Sequence, residues 1–312
     1  MINEMSSHRE LPEPTMRLPS IAFQHGLLPR LAMILVAVAA AITFPSPAVA
    51  QASRKAPPAR EPKQNIETGI RAEAQQNTPV ANPGRPTVST PATLTPVGYL
   101  QFETGLLAAW HSPEFSTQQS LGEVIKFTVS QRIQLLAGTS PFVHSNTAPQ
   151  NGTGDITLGA QGVIYRGEGP RPTLALSYFR DVFSGGTPDL DIGSASNSAI
   201  FLASADVKGF HYDTNYLFNE VINDGVRRAQ FGQTLSVSHA VGKNFGISGE
   251  IWNFTQPFLR GHATGNLWAV NYNARKNLVF DLGFNRGLTT TSTRWELLAG
   301  FTYVLPIKLQ LH

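Results

Sequence analysis

Ionisable side chains recur at alternate positions in a chain that is otherwise poor in charge. Only 14% of the residues are charged, and those that could do chemistry lie between apolar neighbours in runs of period two, which puts them on one face of a strand. Carboxylates that line a pore select cations or polar solutes. Alternatively, they pair with a lysine and with neighbouring amides in a structural network, because buried charges persist only when paired or hydrated. The candidate lumen-lining residues are Glu103, Lys126, Asp155, Asp206, Asp213, Glu250, Asp281 and Glu296.

Other chemistry has little support in the sequence. Cysteine is absent, which excludes thiol nucleophiles and thiolate metal ligands, and the eight histidines are scattered, so we expect no metal site and no cofactor. A lipid hydrolase would need a serine beside His239, but Ser238 has the opposite parity and there is no acidic residue at triad spacing. We therefore expect no enzyme and keep the hydrolase as a weaker alternative.

The elements that must position these residues are β-strands. From Val97 onward, apolar residues alternate with small or polar ones, as in Ile156–Ile164 and in the final run from Trp295 to Leu311. About twelve such strands can be counted, an even number as in single-chain bacterial barrels. The connections are predicted to alternate strictly between long and short, with a long Val221–Arg227 connection among them, which is typical of an up-and-down barrel with long outer loops and short periplasmic turns.

The apolar face decides the fold class. A soluble barrel of about twelve strands would have a large apolar lumen, whereas small barrels with apolar cores close at about eight strands. We therefore predict an all-β fold, a transmembrane antiparallel up-and-down β-barrel with lipid outside and a hydrated, polar lumen. Aromatic residues near the strand ends would form the interfacial girdles: Tyr99, Trp110, Phe142, Tyr165, Phe254, Trp268, Trp295 and Tyr303.

Two segments precede the predicted barrel. Residues 1–50 have the features of a signal peptide with an extended n-region: Arg30, an apolar run from Leu31 to Phe44, and a cleavage site after Ala50. Residues 51–95 contain seven prolines, no aromatic residue and six basic against three acidic side chains. This composition predicts a disordered leader in the periplasm, and a basic tail that contacts an anionic partner or the barrel mouth is the alternative. The barrel would then span residues 96–312.

Short motifs in the predicted strands resemble a known family. The motifs are Gly98–Gly105 with its Gln-Phe-Glu-Thr, Gly154–Gly159, Gly249-Glu250 and Phe280–Gly283. Together they resemble the outer-membrane proteins named for the "MetA pathway of phenol degradation", which are described as transporters, over roughly residues 96–305. The resemblance implies an outer-membrane barrel. Two features depart from the family pattern, the terminal His312 in place of an aromatic residue and Pro306 in the last strand.

These observations together predict a protein of the Gram-negative outer membrane, monomeric or trimeric. We expect a passive channel for small molecules, with aromatic or hydrophobic ones as candidates. The alternative is a plugged structural or surface-binding barrel without transport. The expected partners are outer-membrane lipid, a small-molecule solute and the barrel assembly machinery, and no nucleic acid, because the net charge of +3 arises in the leader.

Overall fold

The described part of the chain is built from strands. The computed structural model describes residues 79–148, 150–185, 195–223 and 225–309. The predicted signal peptide and most of the predicted leader, residues 1–78, lie outside the described residues. The strands are β1 (Leu100–Trp110), β2 (Thr117–Thr128), β3 (Ile133–Ser145), β4 (Asn151–Gly152), β5 (Ile156–Tyr165), β6 (Thr173–Phe183), β7 (Ala195–Val207), β8 (Phe210–Asn223), β9 (Val226–Val241), β10 (Phe245–Gln256), β11 (Gly261–Arg275), β12 (Leu278–Gly287) and β13 (Trp295–Val304).

The strands close into one antiparallel barrel. Each long strand pairs with its neighbours in sequence, and β1 pairs both with β2 and with β13, which joins the two edges of the sheet. The two-residue β4 only extends the pairing of β3. Twelve long strands therefore form the wall, which confirms the predicted up-and-down barrel and its strand number. Strands of 10 to 16 residues are long enough to cross a bilayer when tilted.

The two faces of the wall have opposite polarity. Outward side chains such as Trp268 (63% exposed) and Leu106 (62% exposed) are apolar. Among the largest fully buried side chains are the inward glutamines Gln101, Gln134 and Gln161. A soluble barrel has the reverse arrangement, whereas membrane barrels alternate apolar-out and polar-in. This barrel is therefore of the transmembrane type, with a polar interior.

Two details of the prediction are wrong. The predicted long connection Val221–Arg227 is only residues 224–225, because β8 and β9 extend into it, and residues 166–172 form a longer connection at the other end. Strict alternation of loop length therefore does not hold. Tyr99 and Phe254 are buried, at 6% and 0% exposure, so these two of the predicted girdle residues are not on the outer wall.

The two ends of the barrel are distinct. At the terminal end, the segments that flank the first and last strands meet, since the Leu309 N–H donates to the Gly98 carbonyl oxygen (2.8 Å). The turns 129–132, 208–209, 242–244 and 276–277 lie at this end. The loop end carries residues 111–116, 146–155, 257–260 and 288–294. No described helix is long and apolar enough to span a membrane.

Candidate functional site

The interior of the barrel holds part of the chain itself. Residues 79–97, here the luminal segment, precede β1 and contact the inward faces of the strands instead of lying apart from them. For residues 79–95 the structure thus differs from the expected leader in the periplasm. The physical reason is that a polar, proline-rich segment cannot join a sheet but can have its peptide groups satisfied by luminal side chains.

The luminal segment enters and leaves at the terminal end. Near its start, the Ala81 N–H donates to the Lys276 carbonyl oxygen in the turn between β11 and β12 (2.9 Å). Just after its end, the Gly98 N–H donates to the Thr128 carbonyl oxygen at the end of β2 (2.8 Å). Between these points it contacts β1, β12, β10, β9, β8, β5, β7 and β3 in turn. The segment therefore makes a circuit of the inner wall.

The first arm of the segment is held by an amide and an ion pair. The Gln101 side chain accepts from the Asn82 N–H (2.9 Å) and donates to the Asn82 carbonyl oxygen (2.8 Å). Glu103 accepts from the Gly84 N–H (3.0 Å) and forms an ion pair with Lys126, Nζ to Oε1 2.5 Å. Both ionised side chains are at most 4% exposed. The pair therefore neutralises two buried charges and binds the segment at once.

Arg85 lies on a strip of wall without side chains. Gly105 of β1 is paired with Gly300 of β13 and with Gly122 of β2. A Cβ at Gly105 would overlap the Arg85 guanidinium, and one at Gly300 would lie 3.0 Å from Arg85 Nε. From this seat, Nη2 of Arg85 lies 3.7 Å from Oδ1 of the buried Asp281. Gly105 thus makes room for the guanidinium, whereas a Cβ at Gly300 would first meet the Thr104 carbonyl oxygen of β1, at 2.5 Å.

Glu250 binds the middle of the segment. Its carboxylate accepts from the N–H of Val88 (2.7 Å), the N–H of Ser89 (2.6 Å) and the Ser89 hydroxyl (2.5 Å). The Ser89 Oγ also lies 2.8 Å from Thr234 Oγ1 on β9. Hydrogen bonds to an ionised acceptor are among the stronger ones. Glu250 therefore holds the segment through three hydrogen bonds.

The returning arm is held by neutral polar side chains. Asn215 accepts from the Thr90 N–H (2.7 Å) and donates to the Thr90 carbonyl oxygen (2.9 Å). Ser204 accepts from the Ala92 N–H (2.7 Å). Gln134 accepts from the Thr95 N–H (3.0 Å). Amides that bond both ways replace the strand pairing that this part of the chain lacks.

Apolar contacts complete the fit. Val88 packs against Trp252, Phe254 and Ala263, which are buried on the inner wall of β10 and β11. Leu94 packs against a second cluster of Ala92, Val163, Ala175 and Leu202. At the terminal end, a cavity of about 570 Å³ remains between residues 93–97 and rim residues such as Gln131 and Arg166. The segment thus occupies the lumen without filling its mouth.

The predicted lumen-lining residues fall into two groups. Five are buried on the inner wall: Glu103, Lys126, Glu250, Asp281 and Glu296. Glu296 accepts from Asn285 Nδ2 (2.7 Å), whose Oδ1 accepts from Trp252 Nε1 (2.9 Å). Glu103 contacts Lys126 and Glu296 contacts an amide, as in the second interpretation, whereas Glu250 binds the luminal segment, a partner that neither interpretation included.

The other three predicted residues lie toward the rims. Asp206, exposed, and Asp213, partly buried, both contact His211, whose Nδ1 lies 2.7 Å from Asp206 Oδ1 and whose Nε2 lies 3.2 Å from Asp213 Oδ1. Asp155 precedes β5 at the loop end and accepts from the Gly185 N–H (2.6 Å). Burial raises the pKa of the Asp155 carboxyl. Asp155 and Asp206 are thus apart from the inner-wall group, whereas Asp213 accepts from the Ser204 hydroxyl, which contacts the luminal segment.

Several interior residues are missing from the prediction. Gln134, Asn215 and Ser204 contact the segment, and their inward parity in the strand pattern was the available signal. Glu123 is buried and accepts from the Thr104 hydroxyl. It lies beside an irregularity between Leu121 and Glu123 in the pairing of β2 with β3, so simple alternation could not find it.

The surroundings of His239 do not support the hydrolase alternative. His239 lies on the outer wall, where its Nδ1 is 2.9 Å from the Gly209 carbonyl oxygen and its ring packs on Phe210. In a serine hydrolase, this nitrogen would face a carboxylate. Within the described residues, no group of three or more His, Asp or Glu side chains could hold a metal ion.

Comparisons with known proteins give structural neighbours only. No family model matches the chain, and no curated protein matches its sequence. Among solved structures, the COG4313 outer membrane channel from Pseudomonas putida F1 has a TM-score of 0.48 at 13% identity, covering 67% of this chain and 96% of that one. The NanC porin has a TM-score of 0.46 at 11% identity (68% and 100% covered), and the KdgM porin 0.44 at 11% (69% and 99% covered). The fold assignment rests on this chain's own strand pairing.

Proposed function

We propose that the chain is a bacterial outer-membrane β-barrel that acts as a passive channel for small molecules and has the luminal segment in its pore. The observation that carries the proposal is the closed twelve-stranded wall with apolar side chains outside and ionised and amide side chains inside. A hydrated lumen of this kind is what porin-like barrels use to conduct. We place the terminal end on the periplasmic side, because most of its connections are short turns, as on the periplasmic side of outer-membrane barrels.

A second candidate function is supported by the segment itself. Each arm is held by several hydrogen bonds to the wall, so a barrel that is permanently plugged, with a structural or surface-binding role, has a definite structural basis. A surface-binding role would use the loop after β6, and residues 186–194 of this loop lie outside the described residues. Passive transport is favoured because the hydrogen bonds of the returning arm to Asn215, Ser204 and Gln134 join neutral groups, each of which contributes only about 1 kcal/mol.

The solute stays open to experiment. The resemblance to the family named for phenol degradation makes aromatic solutes a reasonable class to test first. The proposal implies two further partners, outer-membrane lipid and the barrel assembly machinery. No cofactor is part of it.

Proteoliposome swelling tests the function. Vesicles with the mature protein should swell in a graded panel of small aliphatic and aromatic solutes, and a variant that lacks residues 79–96 should admit larger ones. Vesicles that contain the folded variant but swell no faster than empty vesicles would overturn the channel. Swelling by the variant alone would support the plugged barrel.

A further inference from the structure

Two arginines lie on one tryptophan on the outer wall at the loop end. The Arg286 Cζ is 5.1 Å and the Arg294 Cζ 5.7 Å from the Trp295 ring centroid. Trp295 in turn stacks on Phe284, at 5.5 Å between ring centroids. Because β12 and β13 pair Arg286 with Trp295 and β1 pairs Trp110 with Trp295, the ring is fixed by the sheet. The guanidinium groups are therefore positioned by aromatic contacts.

These charges have no carboxylate counterpart among the described residues. None of the ion pairs formed within the described ranges involves Arg286 or Arg294, and both residues are exposed. A guanidinium that lies on a ring keeps its N–H donors free for an anion. Its planar fork suits phosphate oxygens in particular. The two guanidinium groups are thus placed to bind a phosphate group, and no described carboxylate competes for them.

An apolar groove begins next to the arginines. It has a volume of about 820 Å³ and is lined near them by Phe284, Leu297 and Trp268. Within the groove, the Trp268 ring lies over Gly249, because a Cβ at this glycine would be 3.0 Å from the ring. The groove continues along the outer wall toward Phe210 at the terminal end. An apolar groove that ends at two cations matches a lipid with an acyl chain and an anionic head group.

We propose that this part of the outer wall binds one phosphorylated glycolipid, with a phosphate at Arg286 and Arg294 and an acyl chain in the groove beside Trp268. The proposal rests on the proposed outer-membrane placement, which puts the loop end at the outer leaflet. Charge selects the occupant, because an uncharged lipid leaves both guanidinium groups unused. The groove excludes free phosphate as the ligand, because an inorganic ion leaves the apolar surface uncovered.

Native mass spectrometry of the full mature protein in detergent tests the site. Bis-phosphorylated lipid A is the probe, and the double variant Arg286→Gln/Arg294→Gln should bind it about 30-fold more weakly, since each arginine near a lipid surface contributes about fivefold. The variant Arg275→Gln is the matched control, because it removes an exposed arginine from β11 at the terminal end. It should bind lipid A as the wild type does.

Further variants and probes test each part of the site. Gly249→Val would displace the Trp268 ring that lines the groove and should weaken lipid A binding with the arginines intact. Equal binding of lipid A by the double variant and the wild type, equal binding of dephosphorylated lipid A, or inorganic phosphate bound as tightly as lipid A would each overturn the proposal. Solute flux measured on the same preparation tests the channel separately, since a normal flux without lipid A binding contradicts only this site.

Discussion

At the scale of single residues, the interior contrasts with the surface in how charges are paired. Glu103 and Lys126 form a buried ion pair, whereas Arg227 and Glu220 pair on the outer wall with side chains 64% and 28% exposed. Removing one partner of a buried pair leaves an unpaired charge out of water. Removing one partner of an exposed pair leaves a charge that water can still solvate.

Lys126→Met should therefore destabilise the barrel much more than Arg227→Met. We expect a loss of about 3 kcal/mol in the free energy of unfolding for Lys126→Met and a much smaller loss for Arg227→Met. Urea unfolding of the two variants in the same lipid vesicles measures both values. Equal losses would show that the Glu103–Lys126 pair is hydrated and has no special role in the lumen.

Sequence parity predicted which side chains face inward but not what they contact. Glu103, Lys126, Glu250, Asp281 and Glu296 were placed on the inner wall by alternation alone. Glu103, Asp281 and Glu250 contact residues 84–89 of the luminal segment. Lys126 instead pairs with Glu103, and Glu296 with Asn285. Composition describes that segment as unable to form a core, and it gives no information on whether another part of the chain supplies its hydrogen bonds.

At the scale of elements, the wall and the luminal segment fit each other through glycines. Gly105 makes space for Arg85, and Gly283 makes space for Pro86, whose Cβ would be 3.1 Å from an added methyl group. Neighbouring Gly122 has no such role, because the nearest atom to an added Cβ is the Gly105 carbonyl oxygen at 3.9 Å. The fit predicts that one methyl group can disturb the segment without disturbing the strands.

Gly105→Ala should raise solute flux, whereas Gly122→Ala should not. The new methyl group displaces the flexible end of Arg85, which weakens its contact with Asp281 and loosens the first arm of the segment. We expect flux to rise about fivefold, which corresponds to the loss of about 1 kcal/mol of binding, in a proteoliposome assay with both variants. Equal flux in the two variants would mean that Arg85 does not hold the segment in place.

Strand number and face were predictable because apolar residues at every second position leave a strong pattern. Loop lengths were not, as the connection of β8 and β9 shows. There, β8 and β9 continue to residues 223 and 226, and polar residues such as Asn223 and Arg227 lie within the ladder. Polar strand ends beyond an apolar belt look the same as loops in a sequence.

At the level of the whole molecule, the apolar outer face of the barrel should contact lipid and the inner face should not. The four tryptophans offer a direct probe, because Trp268 is 63% exposed on the outer wall and Trp252 is 2% exposed in the interior. Single-tryptophan variants, with the other three changed to Phe, isolate each signal. Brominated lipids should quench Trp268 fluorescence strongly and Trp252 weakly. Stronger quenching of Trp252 would mean that the barrel is turned inside out.

If the luminal segment lies in a conducting pore and must move for solutes to pass, a covalent bond between the segment and the wall should close the pore. Ser89→Cys/Thr234→Cys tests it most directly, because the two side-chain oxygens are 2.8 Å apart and the chain has no cysteine of its own. In planar bilayers, the oxidised variant should show no conductance steps or only small ones, and reduction should restore those of the wild type. Identical conductance before and after reduction, with the disulfide verified by mass, would show that solutes pass without movement of the luminal segment at Ser89.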